Sequence, residues 1–448
     1  MMRGRVLMFF GLVASLLPPS AAAQRAPAPA QPTAAAPITI IDSTIRHDVV
    51  SKLSDALRNN YVFPDVGETA AERIAAALAA GEYDSLSDPN AFAARLSSDV
   101  AAIAHDKHMS IAWMGSLPPG PPPHMPIAEA GVTRADKLAG GVGYIEVIGF
   151  PPVSLFKPTV DKAMTGLEGS RALIIDDRRN GGGSPDGVSY LVSFLIPPKQ
   201  RIEINDIVSR IPKTSNVTRE RNFNQPTPVS FARIPVYVLT SKNTFSGGEE
   251  FAYDVQTHKL GKIVGEITGG GANPTGPVDL GHGFMARIPF GRAENPITKT
   301  NWEGRGVQPD IAVPADDALK TALTRLGRKP ATDVASASVK QVFAPRSTPH
   351  PGTEAAARQL IAGLVSGNPD YASMTPDLAK ATREQLPMLR GSLLSLGDLR
   401  SSKFTGVLPM GGDGYQFSFA KGAVSVVVML DAQGKLSGAF VAPAPAGQ

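Results

Sequence analysis

Between residues 143 and 327, short apolar runs alternate with helix-period segments, and that alternation restricts this part of the chain to a layered α/β core. Gly143-Tyr-Ile-Glu-Val-Ile-Gly-Phe150, Ala172-Leu-Ile-Ile-Asp176 and Ile234-Pro-Val-Tyr-Val-Leu239 read as strands. Residues 156–167, 188–195, 249–255 and 316–326 read as the helices between and after them. Two junctions in this stretch are rich in glycine. Asp176-Asp-Arg-Arg-Asn-Gly-Gly-Gly183 follows one strand, and Thr244-Phe-Ser-Gly-Gly-Glu249 follows another and opens a helix.

The rest of the chain divides around this core. Arg3 and Arg5, an apolar run over residues 6–17 and Ser20-Ala-Ala-Ala23 have the pattern of a cleavable export signal over residues 1–23. Its removal takes away two arginines, so net charge falls from +4 to +2. Such a balanced chain gives no electrostatic case for nucleic acid or an anionic membrane, and no later stretch is long and apolar enough for an integral span. The expected location is therefore periplasmic or secreted. With no cysteine in the chain, disulfides and thiolate chemistry are excluded.

Residues 24–37 form a Pro/Ala tether, and residues 38–115 read as a small helical bundle, with Ile45, Val49, Leu53 and Leu57 on one face and Asp88 as an N-cap. The proline-rich break at 118–123 precedes the core, taken as residues 125–327. A polar, proline-containing linker at 328–352 leads to residues 353–442, where two helices and four strand-like runs predict a separate α+β domain.

Ser246 sits where a strand turns into a helix, with glycines that free the backbone and a helix start that offers N–H groups to negative charge. The same serine could simply cap the helix. A serine nucleophile needs a base. Of the seven histidines, His108 in His105-Asp106-Lys107-His108 stands at a helix-to-strand junction, where a side chain can enter a cleft. His105 and His108 could also share a metal, but no third ligand cluster accompanies them. The turn at 181–183 could bind an oxyanion or a phosphate, or be no more than a tight turn. Its spacing matches neither the Rossmann fingerprint nor the P-loop, and no cofactor is called for. Glu303, beside Trp302 and two glycines, could be held firmly enough to orient a histidine.

Together these motifs, in this order over about residues 40–327, resemble the S41 tail-specific proteases, in particular their tricorn-core-like and interphotoreceptor-retinoid-binding-protein-like branch. The resemblance rests on Asp106-Lys-His108, Asp176 to Gly183, Thr244 to Glu249 and Trp302-Glu-Gly-Arg-Gly-Val-Gln-Pro-Asp310. It implies a ClpP/crotonase-like layered core and a peptide or protein substrate. It further implies Ser246 as nucleophile, His108 as base and Glu303 as the acidic member, 57 residues beyond the serine. Backbone N–H groups of Gly247, Gly182 and Gly183 would form the oxyanion hole.

The chain departs from the processing-peptidase branch in two ways. Residues 265–273 contain no lysine, which favours a histidine over a Ser/Lys dyad, and residues 115–141 are too few for a PDZ domain. Lys107 stands where the tricorn core has a serine beside its histidine, which leaves the link from Glu303 to His108 the critical one. A binding protein on the same scaffold and a small-substrate esterase or amidase are the rival functions. By its order of elements, the C-terminal domain resembles the nuclear-transport-factor-2-like class.

Overall fold

The structure, a computed structural model, describes residues 40–113, 130–328, 340–343, 346–408, 412–431 and 433–443. The expected export signal, the tether and the proline-rich break at 118–123 lie outside the described residues. Among the described residues no helix is long and apolar enough to cross a membrane.

Three helices open the described chain: α1 (Ser43–Asn60), α2 (Pro64–Ala79) and α3 (Pro89–Ala104). Asp42 and Asp88 cap α1 and α3 by accepting the N–H groups of Ile45 and Ala91 at 2.9 and 2.7 Å. The bundle does not close on itself. After β1 (Ser110–Trp113), the chain runs through β2 (Val132–Leu138), β3 (Val142–Val147), α4 (Val153–Gly166), β4 (Ala172–Asp176), α5 (Pro185–Ser193), β5 (Glu203–Arg210), β6 (Val217–Phe223) and β7 (Val236–Thr240). It continues as α6 (Gly247–Thr257), β8 (Lys262–Gly265), β9 (Thr275–Gly281), β10 (Phe284–Pro289), β11 (Gly291–Glu294), β12 (Ile311–Ala312) and α7 (Ala315–Arg325).

β10 pairs with both β1 and β9, and Leu280, Phe284, Ala286 and Ile288 pack into the core formed by Val49, Leu53, Leu57, Ile74, Leu96 and Val100. The unit read as residues 38–115 therefore borrows a hairpin from residues 275–289, because the apolar faces of three short helices need a further layer to bury them.

The main sheet has the order β12-β8-β7-β4-β3-β2. β3, β4, β7, β8 and β12 run parallel, and β2 is antiparallel to β3. Residues of α4, α5 and α6 pack on one face with Ile145, Leu173, Ile175 and Val238. Residues of α7 pack with Tyr144, Ile174, Leu239 and Val264 on the other. β3 and β4 are buried along their whole length, as expected of parallel strands covered on both faces. A three-stranded antiparallel sheet, β11-β5-β6, flanks this core.

Within the expected linker, β13 (Lys340–Phe343) joins the free edge of β2. The C-terminal part comprises α8 (Thr353–Ser366), α9 (Pro376–Ser395), β14 (Leu399–Val407), β15 (Asp413–Phe419), β16 (Gly422–Leu430) and β17 (Leu436–Pro443). The four strands form an antiparallel meander over their own core, with Ile361, Leu364, Phe417, Val426 and Val428 at its centre.

Candidate active site

β4 and β7 are neighbours in parallel register, so the turns at their carboxyl ends lie side by side. The first turn carries Gly181–Gly183 and the second carries Ser246. Asn180 ties them together: its carbonyl accepts the Phe245 N–H at 2.9 Å, while its Oδ1 accepts the Gly182 N–H at 2.8 Å. Gly182 has φ +99°, and a Cβ there would stand 2.6 Å from the Ser246 Cβ, so only glycine allows the two turns this close.

Ser246 occupies the N-cap place of α6 with φ 55° and ψ −121°, a backbone conformation rarely taken outside glycine. Ser246 and Glu249 stand in a capping-box relation, in which the Ser246 N–H donates to Glu249 Oε2 at 2.9 Å. The Ser246 hydroxyl is directed instead to His108, with 3.0 Å between Oγ and Nε2. Glu249, fully buried, also accepts bonds from Thr268 Oγ1 and the N–H groups of Gly270 and Gly271. Burial raises its carboxyl above the usual range while those four donors oppose the rise.

His108 arrives from the bundle. α3 ends at His105, whose left-handed φ of 52° swings the next residues out of the helix and into the cleft. Asp106, 4% exposed, fixes this turn. Its Oδ1 accepts the His108 N–H at 3.0 Å, and its Oδ2 accepts Asn273 Nδ2 at 2.8 Å and the Tyr61 hydroxyl at 3.3 Å. The imidazole lies against Phe245, with ring centroids 4.7 Å apart. Burial lowers its pKa, Asp106 opposes that shift, and Arg287 adds to it, so the neutral, proton-accepting form prevails at neutral pH. The bonds of Asp106 to Asn273 and Tyr61 and the Phe245 contact of His108 were invisible in the sequence, because each depends on partners distant in the chain.

Lys107 turns away from its neighbour. Its ammonium donates to the Gly269 carbonyl at 2.5 Å, on the exposed side of the turn. Glu303 is held by the Trp302 motif: Trp302 Nε1 donates to the Gly271 carbonyl at 2.7 Å and the Glu303 N–H to Asn301 Oδ1 at 2.9 Å. Glu303 Oε2 accepts the Ala272 N–H. Its other oxygen, Oε1, and His108 Nδ1 are both buried and without a hydrogen-bond partner among the described residues. A carboxylate oxygen of Glu303, a ring nitrogen of His108 and an oxygen of Asp106 all lie within 4.8 Å of one another. These three could surround a cation geometrically, but Asp106 already accepts three bonds and His108 Nε2 faces the serine. His105, the other histidine of the expected pair, is exposed and outside that group.

Burial pushes the Glu303 carboxyl from its ordinary 4.5 up to about 7, with Asp106 and Glu249 adding and the N–H groups of Ala272 and Lys107 opposing. The folded state thus holds this proton more tightly than the unfolded chain. The stabilisation is complete below about pH 4.5 and is lost as pH rises through about 7. Glu303→Gln, which carries no such charge, is expected to melt about 2–4 °C above the parent at pH 8 and at the same temperature at pH 4. Thermal melts at the two pH values test this, and equal shifts at both would refute it.

The predicted oxyanion donors separate into two groups. The Gly182 N–H is already donated to Asn180, so that part of the expectation is corrected. The N–H groups of Gly183 and Gly247 have no acceptor among the described residues, and Gly183 N lies 3.0 Å from where a Cβ on Gly247 would stand. Both glycines face a cleft of about 510 Å³ that also exposes Ser246 and His108. A hydroxyl beside a neutral imidazole, with two unengaged N–H groups next to it, has the parts needed for acyl transfer.

Residues 141–313 match the model of peptidase family S41, and residues 34–132 match that of the N-terminal domain of Peptidase S41 in eukaryotic IRBP. Among solved structures, a putative peptidase from Parabacteroides merdae is 20% identical over 65% of this chain and 95% of that one, with a TM-score of 0.48. The photosystem II D1 C-terminal processing protease is 21% identical over 48% of this chain and 51% of its own, with a TM-score of 0.36. The tricorn protease is 23% identical over 44% of this chain and 17% of its own, with a TM-score of 0.28. The chain thus spans about half of the D1 processing protease and under a fifth of tricorn. With two models of one family matched in chain order, the first carrying His108 and the second Ser246, the chain belongs to peptidase family S41.

Proposed function

We propose that the protein is an exported serine-type peptidase that works through an acyl-enzyme. His108 takes the proton of Ser246 as the serine oxygen attacks a peptide carbonyl. Gly183 and Gly247 receive the developing oxyanion. The protonated His108 then delivers its proton to the leaving amine, and water, activated by the same imidazole, hydrolyses the ester.

The observation that carries this reading is the 3.0 Å contact between Ser246 Oγ and His108 Nε2. Glu303 is the orienting acid in this scheme. Its Oε1 and the His108 Nδ1 are both buried without a partner among the described residues, and catalytic hydrogen bonds often tighten only when substrate is bound. As imidazolium forms, the carboxyl gains a positive neighbour and its ionised form is favoured. Lys107 does not compete for it, since its ammonium is engaged at Gly269.

Labelling with a fluorophosphonate, followed by peptide mapping, tests the proposal: the adduct is expected on Ser246, and its absence would refute an activated serine. Turnover of a peptide library is expected to exceed that of simple esters. The opposite ranking would favour an esterase on the same scaffold. Export to the periplasm or beyond is part of the proposal, supported by the signal-like residues 1–23. Fractionation of producing cells, with Gln24 as the expected new N-terminus, tests it.

A further inference from the structure

Glu250 follows Ser246 by one helical turn, on the same face of α6, and its side chain lines the same cleft as the serine. It is 4% exposed, and its Oε1 is buried without a hydrogen-bond partner among the described residues. Acids in a first helical turn are ordinarily solvated and favoured by the helix dipole. This one is covered by β5, whose fully buried Asn205 turns its side-chain amide toward it. Among the described residues no cation is one of the groups that act on it. Burial pushes its carboxyl up to about 7, Asn205 opposes the shift, and Asp186 on α5 adds to it.

An uncompensated buried carboxyl costs stability, and glutamine or leucine would fill the space without that cost. The missing element is a positive charge. The cleft that Glu250 lines is also walled by Ile207, Ala293 and Pro185, apolar surfaces that suit the methylene stem of a long cationic side chain. Arg287 lines the cleft too, but it is exposed and donates to Thr275 Oγ1, so solvent screens its charge far more than that of Glu250.

We propose that Glu250 is the specificity residue of the Ser246 cleft, accepting the cationic side chain of a lysine or arginine on the acyl side of the scissile bond. This rests on the peptidase reading above. Such a residue pairs with the acid on entering and fills the apolar walls with its stem, which also seats its carbonyl between Ser246 and the Gly183 and Gly247 donors. An uncharged side chain of the same length gains the packing only.

Two parallel measurements on the full chain test the assignment. In the first, fluorogenic peptides differing only in lysine, glutamine or norleucine before the scissile bond are hydrolysed. kcat/KM for lysine is expected to exceed that for norleucine by about 10- to 100-fold, the span of one charge-assisted bond in a desolvated site. Glu250→Gln is expected to bring that ratio near one. A parent ratio near one, or a preference that survives Glu250→Gln, overturns the proposal. In the second, benzamidine binding to Ser246→Ala protein is measured by calorimetry with and without Glu250→Gln, and the second change is expected to weaken it by a similar factor. If the parent hydrolyses none of the peptides, the peptidase reading fails and the benzamidine measurement alone decides. Equal binding with and without Glu250→Gln then overturns the role of Glu250. Glu250→Met, of similar volume and uncharged, serves in both measurements if the glutamine variant does not fold.

Discussion

Ser246→Ala is expected to lower kcat/KM for peptide hydrolysis by about four to six orders of magnitude while leaving the thermal melt within about 2 °C of the parent. The size of the loss follows from the chemistry: without Oγ there is no acyl-enzyme, and the oxyanion donors alone supply only residual catalysis. The preserved fold follows from what the turn rests on. The Ser246 N–H bond to Glu249, the Phe245 N–H bond to Asn180 and the Gly248 N–H bond to Phe245 are all made by backbone groups that alanine keeps. The positive φ of 55° is as strained for alanine as for serine, so the substitution neither relieves nor adds to it. Kinetics and a melt on the same preparation decide the matter, and activity within tenfold of the parent would remove Ser246 from the mechanism.

Gly183→Ala should have the next largest effect, and it acts on both rate and stability. Gly183 has φ +138°, and a Cβ there would stand 1.9 Å from the Phe150 carbonyl oxygen. The backbone must move, and with it the bridge in which Phe150 N–H donates to Gly182 at 2.8 Å and Ser184 N–H to Phe150 at 2.7 Å. The expected result is a fall in kcat of about 10²–10³-fold with KM little changed, as for loss of one oxyanion donor. Alongside it comes a destabilisation of about 2 kcal/mol or more from the strained backbone. Gly181→Ala makes a fair stability comparison, since its Cβ would meet nothing within 4 Å and its φ is not positive, so it should leave the melt unchanged. A Gly183→Ala protein whose kcat falls only in proportion to the unfolded fraction would show that this N–H does not serve the transition state.

The layered core was legible because β3, β4 and β7 are predominantly apolar runs and the helices between them keep their period. The C-terminal part was legible in the same way, with α8 and α9 preceding four strands as the order of its segments predicts. The flanking strands were not legible, and their residues explain why. β5 is buried along most of its length yet carries Asn205 and Asp206, so its pattern resembles a loop. β6, Val-Thr-Arg-Glu-Arg-Asn-Phe, is exposed over most of its residues. β9 contains Gly276, Pro277 and Gly281, which ordinarily argue against a strand.

At the site, local chemistry marked Ser246 and the glycine turn. What it could not mark was work done at long range. Asp106 reads as one more charge at a helix end until Asn273, 167 residues away, supplies the donor that holds it. Glu250 reads as a dipole-favoured acid in a first helical turn until β5 covers it. The Gly182 and Gly183 pair reads as equivalent, and only the Asn180 side chain separates the donor that is spent from the one that is free.

The borrowed hairpin of the bundle has a consequence for how this chain is made. Synthesis delivers His108 first, Ser246 much later, and β9 and β10 later still, with Glu303 last of the set. Until residue 288 has emerged, the helices that present His108 lack the layer contributed by Leu280, Phe284, Ala286 and Ile288, so the proposed base has no settled mount. On the proposed mechanism, the nascent polypeptide is therefore expected to be inert through most of its elongation and to gain its hydrolytic competence in one late step. A chain that would cut peptides thus passes through its own production without a working blade.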